Sequence, residues 1–429
     1  MKTEPSQLSA SELAPLLASG RLTAEAVARS CLERVSLRDG ELRAWAFVAP
    51  DAVIEQARAL DRAGPRGPLF GIPVGVKDVI LTRDMPTQYN SQIYRGFHPR
   101  IDAACVATLR AAGALIFGKV DTVEFAATGR PAPTRNPHHP AHTPGGSSSG
   151  SAAAVADFHV PLALGTQTGG SMIRPASYCG VYGFKPTWNL VSPEGAKMFS
   201  ATLDTIGWFG RSAADLALML RVFDPESAPP LALAGARVAL CRSPVWRQAD
   251  ADTRAAFEGA AERLRLAGAE VVELTLPAPF ERLPALQLLI MRAEARGTFL
   301  AEHRMHAAEL HASLNAMVEN AHGISRAQLC EAYDTAAACR AAFDRIAAAY
   351  DVVLTPSTVG CAPAGLEQTG PLTFNGIWSL LQVPVANVPG FTGAGGLPVG
   401  LSVTGPRFAD ARVLAAAQAL GALFEPLSI

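Results

Sequence analysis

The chain has 429 residues, 49% of them hydrophobic, and a formal net charge of −1. That length and apolar content specify a globular, enzyme-sized protein with a large buried core, and no run reaches the roughly 18 consecutive apolar residues of a membrane span. The neutral balance gives no electrostatic reason to expect nucleic acid or an anionic membrane as a partner.

The N-terminal stretch MKTEPSQLSASELAPLLASG lacks the apolar centre of a secretory leader, so a cytoplasmic location is expected. Residues 7–38 carry helical periodicity, with Ser11 and Thr23 as candidate caps and Gly20 and Gly40 as candidate stops. They are expected to form a helical arm, extended by a helix over 51–63, that packs on the body. The run GIPVGVKDVI, residues 71–80, is short, apolar and β-branched, which predicts a buried strand ending near Lys77 and Asp78. Lysine occurs only at positions 2, 77, 119, 185 and 197, and arginine supplies the rest of the basic residues. A lysine inside an apolar run can lose its proton and act as a base, which arginine cannot do.

Residues 102–112 predict a helix, Gly113 its stop and ALIFGKV the next buried strand. The same helix-then-strand order recurs at 252–274 and before DVVLTP (351–356), which argues for an α/β sheet covered by helices. Residues 281–349 read as mostly helical and carry no motif. FNGIWSLLQVPVANVPGF and GLPVGLSVTG read as two buried strands, and a last helix runs from about Asp410 to Leu423. The seven cysteines, odd in number and without a CxxC pair, read as buried free thiols.

The chemistry concentrates in TPGGSSSGSAAAVADFHVPLALGTQTGGSMIRP, residues 143–175. Two glycine- and serine-rich turns, Gly145–Ser151 and Gly165–Ser171, flank an apolar stretch that wants burial, which a disordered linker would not contain. Gly113–Lys119 has the glycine spacing of a phosphate loop, but Val120 replaces the hydroxyl residue that would hold magnesium. Ser148 is centred in GSSSG like a nucleophile elbow, yet the residues before it are loop, not strand, so an esterase triad is the weaker reading. His138, His139 and His142 have no carboxylate at ligand spacing, so a metal is not expected. What remains is a serine nucleophile in one turn, helped by a second serine and a lysine base. Consecutive N–H groups of Thr168, Gly169, Gly170 and Ser171 would receive an oxyanion, and a helix opening at SMIRPASYCG would add its dipole.

At GIPVGVKD, GKVDTVEFA, TPGGSSSGSAAAVA, GTQTGGSMIRPASYCGVYGFKPT, SATLDTIGWFGRS and GLPVGLSVTGPRFADARVL the sequence resembles the amidase signature family. The resemblance covers about the whole chain except 275–350. It implies one amidase signature domain, an α/β fold with a central mixed sheet covered by helices on both faces. The N-terminal arm would span 7–63, the catalytic core 71–210 and a helical cover 275–350. It also implies a Ser-cisSer-Lys triad: Ser171 as nucleophile, Ser147 as bridging serine on a cis peptide and Lys77 as base. Lys119, Lys185, Ser148 and Ser149 would be structural. The reaction implied is hydrolysis of a linear amide through a seryl acyl-enzyme, without metal or organic cofactor, and esters or carbamates fall within its reach.

Two departures bear on substrate. Gln167 stands where the commonest family form has Asp, and Arg174 falls three residues after Ser171 instead of two. This variant resembles the malonamidase-type bacterial amidases, which implies that Arg174 binds a substrate carboxylate by a bidentate pair; a structural arginine is the equal alternative. Phe125, Ala126 and Thr128 are implied near the acyl pocket, and Met172, Ile173, Phe199 and Trp208 offer an apolar wall or simple core. The expected partner is a small amide, ester or carbamate, with neither nucleic acid nor membrane, and a homodimer is left open. Alternatives are a hydrolase of urea-like compounds such as allophanate or carboxybiuret, an aryl carbamate hydrolase, the glutaminase component of a tRNA-dependent amidotransferase, and a non-catalytic binding protein.

Overall fold

The computed structural model describes residues 4–424, and its centre is one mixed sheet. In chain order the strands are β1 (Trp45–Phe47), β2 (Pro73–Lys77), β3 (Leu115–Val120), β4 (Leu162–Gln167), β5 (Tyr182–Lys185) and β6 (Thr205–Gly210), then β7 (Arg237–Cys241), β8 (Glu270–Leu274), β9 (Val352–Pro356), β10 (Val385–Thr392) and β11 (Pro398–Thr404). They lie side by side as β1-β3-β2-β4-β6-β5-β10-β11-β9-β7-β8, flanked by fourteen α-helices among the described residues. β2 is parallel to both β3 and β4, while the middle of the sheet, from β4 through β9, is antiparallel. Strands β2, β3, β6 and β9 are buried along their whole length, as their continuous apolar runs require.

The parallel register places the site. Val74 pairs with Leu162 and Val76 with Leu164, so Lys77 ends β2 at the level of Gly165, just before β4 ends at Gln167. The carboxyl ends of parallel strands are where an α/β sheet opens a crevice. Between these strands in sequence, Ser149–Ala156 forms a helix in which every residue is buried. Its small side chains make that possible. A Cβ on Gly150 would lie 2.3 Å from the Ala44 carbonyl oxygen and 2.4 Å from the Asp121 nitrogen, so the helix can lie this close only without one. This is why a Gly/Ser/Ala segment here is packed structure and not linker.

Several expected details shift. The first helix, Ala10–Ala18, is capped by Ser9 through a reciprocal bond with Glu12, and the Ser11 N–H goes instead to Asp215 Oδ1 at 2.8 Å. Thr23 does cap Ala24–Leu42, but Gly40 lies inside that helix, which stops at left-handed Arg43. The arm is not helix alone, since β1 pairs with β3 at the sheet edge. FNGIWSLL is not strand: Gly376–Leu380 is a short helix, and only the run from Val385 is β10. A stretch buried on all sides has no polar face to report its period. Cys330 is exposed and Cys361 partly so, whereas the other five thiols are buried and free.

Asp157, at the end of the Ser149–Ala156 helix, anchors the arm. It accepts Arg34 Nη2 at 2.9 Å and Arg38 Nε at 3.1 Å, and its other neighbour is His159 Nε2 at 3.1 Å. His159 is fully buried and takes the Trp45 indole N–H on Nδ1 at 3.0 Å, which leaves its Nε2 hydrogen facing Asp157. Asp157→Ala would leave the buried imidazole without its carboxylate neighbour and remove one acceptor from each arginine, while Arg34 Nε keeps the carbonyl of residue 157 and Arg38 keeps Glu41. With the arginines half-exposed, the expected loss is about 2 kcal/mol of unfolding free energy in urea. A loss below about 0.5 kcal/mol would mean that the arm is held by apolar contacts alone.

Candidate active site

Lys77 is wholly buried at the end of β2, and its Nζ lies 2.8 Å from Ser147 Oγ, 2.9 Å from Ser148 Oγ and 2.8 Å from Thr166 Oγ1. No carboxylate touches it among the described residues. Burial drives its amine well below the ordinary lysine range; the Asp204 charge opposes that shift and the Arg174 charge adds to it. The peptide Gly146-Ser147 is cis, in the turn where the bridging serine was expected.

The three hydroxyls around Lys77 are not equivalent. Ser148 Oγ lies 3.2 Å from the Thr166 carbonyl and takes the Thr166 N–H at the same distance, so its hydrogen already has a backbone acceptor. Ser147 Oγ has no partner except Lys77 among the described residues. A hydroxyl whose hydrogen is uncommitted can pass it on, and one tied to a carbonyl cannot.

Ser171 sits in the second turn with its hydroxyl free of any intramolecular hydrogen bond among the described residues, and 8% of the residue is exposed. The two turns are tied together from both sides. Arg174 Nη2 and Nε donate to the Gly146 carbonyl at 2.6 and 3.2 Å, and Ser148 Oγ meets Met172 Sδ at 3.9 Å. Arg174 also donates to the Gly370 carbonyl, and burial lowers its guanidinium to about 10. Its bonds go to backbone oxygens, and only 6% of the residue is exposed.

The N–H groups of residues 168–171 donate to no acceptor among the described residues. The carbonyls of Thr168, Gly169 and Gly170, by contrast, are engaged. Gln287 Nε2 reaches Thr168 O at 3.3 Å, Ser379 Oγ donates to Gly169 O at 3.0 Å and the Arg174 N–H to Gly170 O at 3.0 Å. The short helix Ile173–Cys179 does open here, but its leading N–H groups are spent: Met172 and Ile173 both donate to Gln167 Oε1, at 2.8 and 3.1 Å.

The remaining predicted residues separate into two groups. Ala126 and Phe199 line a small cavity with Thr166, Thr168, Lys197 and Asp204. Phe125, Met172, Ile173 and Trp208 do not line it. Phe125 is enclosed by Tyr89, Tyr94 and Phe299, Met172 packs beneath Gly165 and Gly207, Ile173 joins the cluster around Phe280 and Trp378, and Trp208 donates its indole N–H to Leu216 O. Thr128 is half-buried and outside the cavity. Two larger hollows, beside Leu220 and Leu414 and beside Val53 and Arg110, contain none of these side chains. The loop histidines bond to backbone: His138 to Cys179 O at 3.0 Å and His142 to Ala362 O at 2.7 Å.

Four site residues were not singled out from sequence: Thr166, Asp204, Gln287 and Ser379. Asp204 accepts Thr168 Oγ1 at 2.5 Å and the N–H groups of Phe199 and Ser200, and burial raises its carboxyl to about 6. Its signal was a lone acid beside the apolar run TIGWFG. Gln287 shares the buried stripe of its helix with Leu283, Leu286 and Ile290, a polar residue where the period calls for an apolar one.

The Amidase family model matches residues 26–414, so this chain belongs to the amidase family, a class of enzymes that hydrolyse carbon–nitrogen amide bonds. It is 39% identical over 313 residues to a glutamyl-tRNA(Gln) amidotransferase subunit from Thermobifida fusca, an alignment spanning 67% of this chain and 63% of that protein's length. To the corresponding amidotransferase subunit from Acidothermus cellulolyticus it is 35% identical over 478 aligned positions, 96% of this chain and 94% of that one. A crystal structure of an amidase superposes with a TM-score of 0.89 at 30% identity, covering 97% of this chain and all of the other. The expectation that nucleic acid is no partner is overturned by these relatives, which are subunits of an enzyme named for a tRNA. Net charge was a poor guide because it sums the surface and cannot report a local face or a partner protein.

The depressed lysine has a consequence for stability. The native chain gives up the Lys77 proton at lower pH than the unfolded chain, so between the two values the unfolded chain binds more protons and stability rises with pH. In Lys77→Met that contribution is absent. Its urea midpoint at pH 7 is expected to equal or exceed that of the unsubstituted chain, with a shallower rise toward pH 10. A clear drop in the midpoint would show that the amine stabilises the fold.

Proposed function

We propose that this chain hydrolyses its amide through an acyl-enzyme on Ser171, with Ser147 and Lys77 as the proton relay. The observation that supports this reading most is the desolvated Lys77 amine 2.8 Å from Ser147 Oγ, whose hydrogen has no other acceptor among the described residues. The neutral amine accepts the Ser147 proton as Ser147 accepts that of Ser171, and the Ser171 oxygen forms its bond to the amide carbon. The carbonyl oxygen becomes an oxyanion, received by the unengaged N–H groups of Thr168, Gly169, Gly170 and Ser171. The proton on Lys77 returns through Ser147 to the departing nitrogen as the carbon–nitrogen bond breaks. Water then attacks the acyl carbon, gives its proton to the same relay, and releases the acid as Ser171 regains its hydrogen.

Arg174 acts here as a clamp on the Gly146 and Gly370 carbonyls. A second reading is favoured by the relatives: the chain would release ammonia from glutamine as one component of a tRNA-dependent amidotransferase. Both readings share the relay and differ in substrate and partners.

Because Lys77 acts as the neutral amine, turnover is expected to rise with pH through its lowered pKa and then level off. A rate flat from about pH 6 to 9, with Ser171→Ala as blank, would remove Lys77 from the base role. Substrate is settled by measuring ammonia or amine release from malonamate, a neutral aryl acylamide and glutamine, the last with and without the other subunits of a bacterial amidotransferase. Turnover of the aryl amide by the chain alone is the expected result. Preference for malonamate would give Arg174 a carboxylate, and glutamine cleavage only with the partner proteins would establish the second reading.

A further inference from the structure

The N–H and C=O of one peptide unit point in opposite directions, so fixing a carbonyl also fixes the N–H of the next residue. This geometry recurs three times in the turn before Ser171. The Thr168 carbonyl is held by Gln287 Nε2, the Gly169 carbonyl by Ser379 Oγ and the Gly170 carbonyl by the Arg174 N–H. The N–H groups opposite these three carbonyls belong to Gly169, Gly170 and Ser171. All three are unengaged among the described residues.

We infer that Gln287 and Ser379 are positioning residues for the oxyanion site, acting through the carbonyls of Thr168 and Gly169. The inference rests on the seryl mechanism proposed above. Ser379 belongs to a longer chain of bonds: Gln167 Nε2 donates to Ser379 Oγ at 3.1 Å while Gln167 Oε1 holds the N–H groups of Met172 and Ile173. An aspartate at position 167 could accept those two N–H groups but has no donor for Ser379. Glutamine does both, linking the start of the Ile173–Cys179 helix to the Gly169 carbonyl. Gly170 closes the arrangement, since a Cβ there would lie 2.6 Å from Asn375 Oδ1.

Gln287 is a costly choice for packing alone. It is fully buried, its Oε1 has no hydrogen-bond partner, and its Nε2 has only Thr168 O and a 3.7 Å contact to Met291 Sδ. A buried amide with an orphan acceptor is less stable than an apolar side chain of the same shape. What the amide does that methionine cannot is direct the Thr168 carbonyl. The helix Leu283–Thr298 thereby gives the cover a part in the chemistry. The same helix carries Glu294, which binds Ser200 Oγ, Thr202 Oγ1 and the Tyr333 hydroxyl, each at 2.6 Å.

The test uses the full chain, an alkyl fluorophosphonate as probe, and the variants Gln287→Met, Ser379→Ala, Ser379→Thr and Ser171→Ala. The limiting rate of phosphonylation and the dissociation constant of the initial complex are measured separately, together with melting temperature. For Gln287→Met the limiting rate is expected to fall roughly tenfold or more, with the dissociation constant within about twofold and the melting temperature equal or higher. Ser379→Ala is expected to fall similarly, and Ser379→Thr to recover most of the rate. A limiting rate unchanged in Gln287→Met, or one that falls only in step with melting temperature, would overturn the positioning role. Labelling that persists in Ser171→Ala, or its absence in the unsubstituted chain, would instead overturn the seryl reading and this inference with it.

Discussion

Removing an ammonium from water costs several kcal/mol unless an opposite charge offsets it, and no carboxylate touches Lys77 among the described residues. It has three hydroxyls, at 2.8, 2.9 and 2.8 Å. Hydroxyls accept from the amine but bring no negative charge to offset its desolvation, so burial favours the neutral form. The rest of the site depends on that selection. β2 and β4 are parallel, and Lys77 ends β2 at the level of Gly165, within reach of the Thr166 hydroxyl; the Ser149–Ala156 helix approaches closely enough, through its small residues, to bring Ser147 and Ser148 to the same point. Burial of an amine and close packing of a helix of small residues are therefore one constraint.

Two other buried lysines sharpen the comparison. Lys119 faces Asp78 at 3.2 Å and also donates to Ile80 O and Thr87 Oγ1, so its charge has a counterion. Lys185 donates to Pro186 O at 2.9 Å and is lowered to about 7 by burial against the opposing charge of Asp410. Lys185 has no hydroxyl bonded to it among the described residues, and Lys119, although it meets the Thr87 hydroxyl, faces the carboxylate of Asp78. A low lysine pKa alone does not make a base; the base needs a donor whose proton has nowhere else to go. Lys77, beside Ser147 and with no carboxylate in contact among the described residues, meets both conditions without a counterion to hold its charge.

How much of this could be read in the sequence follows from distance along the chain. GIPVGVKDVI announced a buried strand with a lysine at its end, and the two glycine–serine turns announced the site, because each feature lies within one short segment. The residues that shape the turn were invisible for the opposite reason. Gln287 meets Thr168 across 119 residues and Ser379 meets Gly169 across 210, and no local pattern encodes such a meeting. Gln287 left a trace only as a polar residue on an apolar stripe. The strand expected at FNGIWSLL failed because a segment buried on all sides carries no periodicity, and Met172 and Ile173, at the start of the Ile173–Cys179 helix, are packed in the core. Arg174 was legible as important but not in role: its guanidinium binds backbone carbonyls contributed by residues 146 and 370.

The most direct measurement is the titration of Lys77 itself, by nitrogen NMR of side-chain amines in protein labelled at lysine. Only five lysines are present, so Lys77→Met assigns the signal by its loss. The account expects that amine to titrate well below 10.5, the ordinary lysine value, and to move upward when Arg174 is replaced by methionine, because the Arg174 charge helps to lower it. A Lys77 amine that stays protonated up to the ordinary lysine range would contradict the account, since no neutral base would then stand beside Ser147.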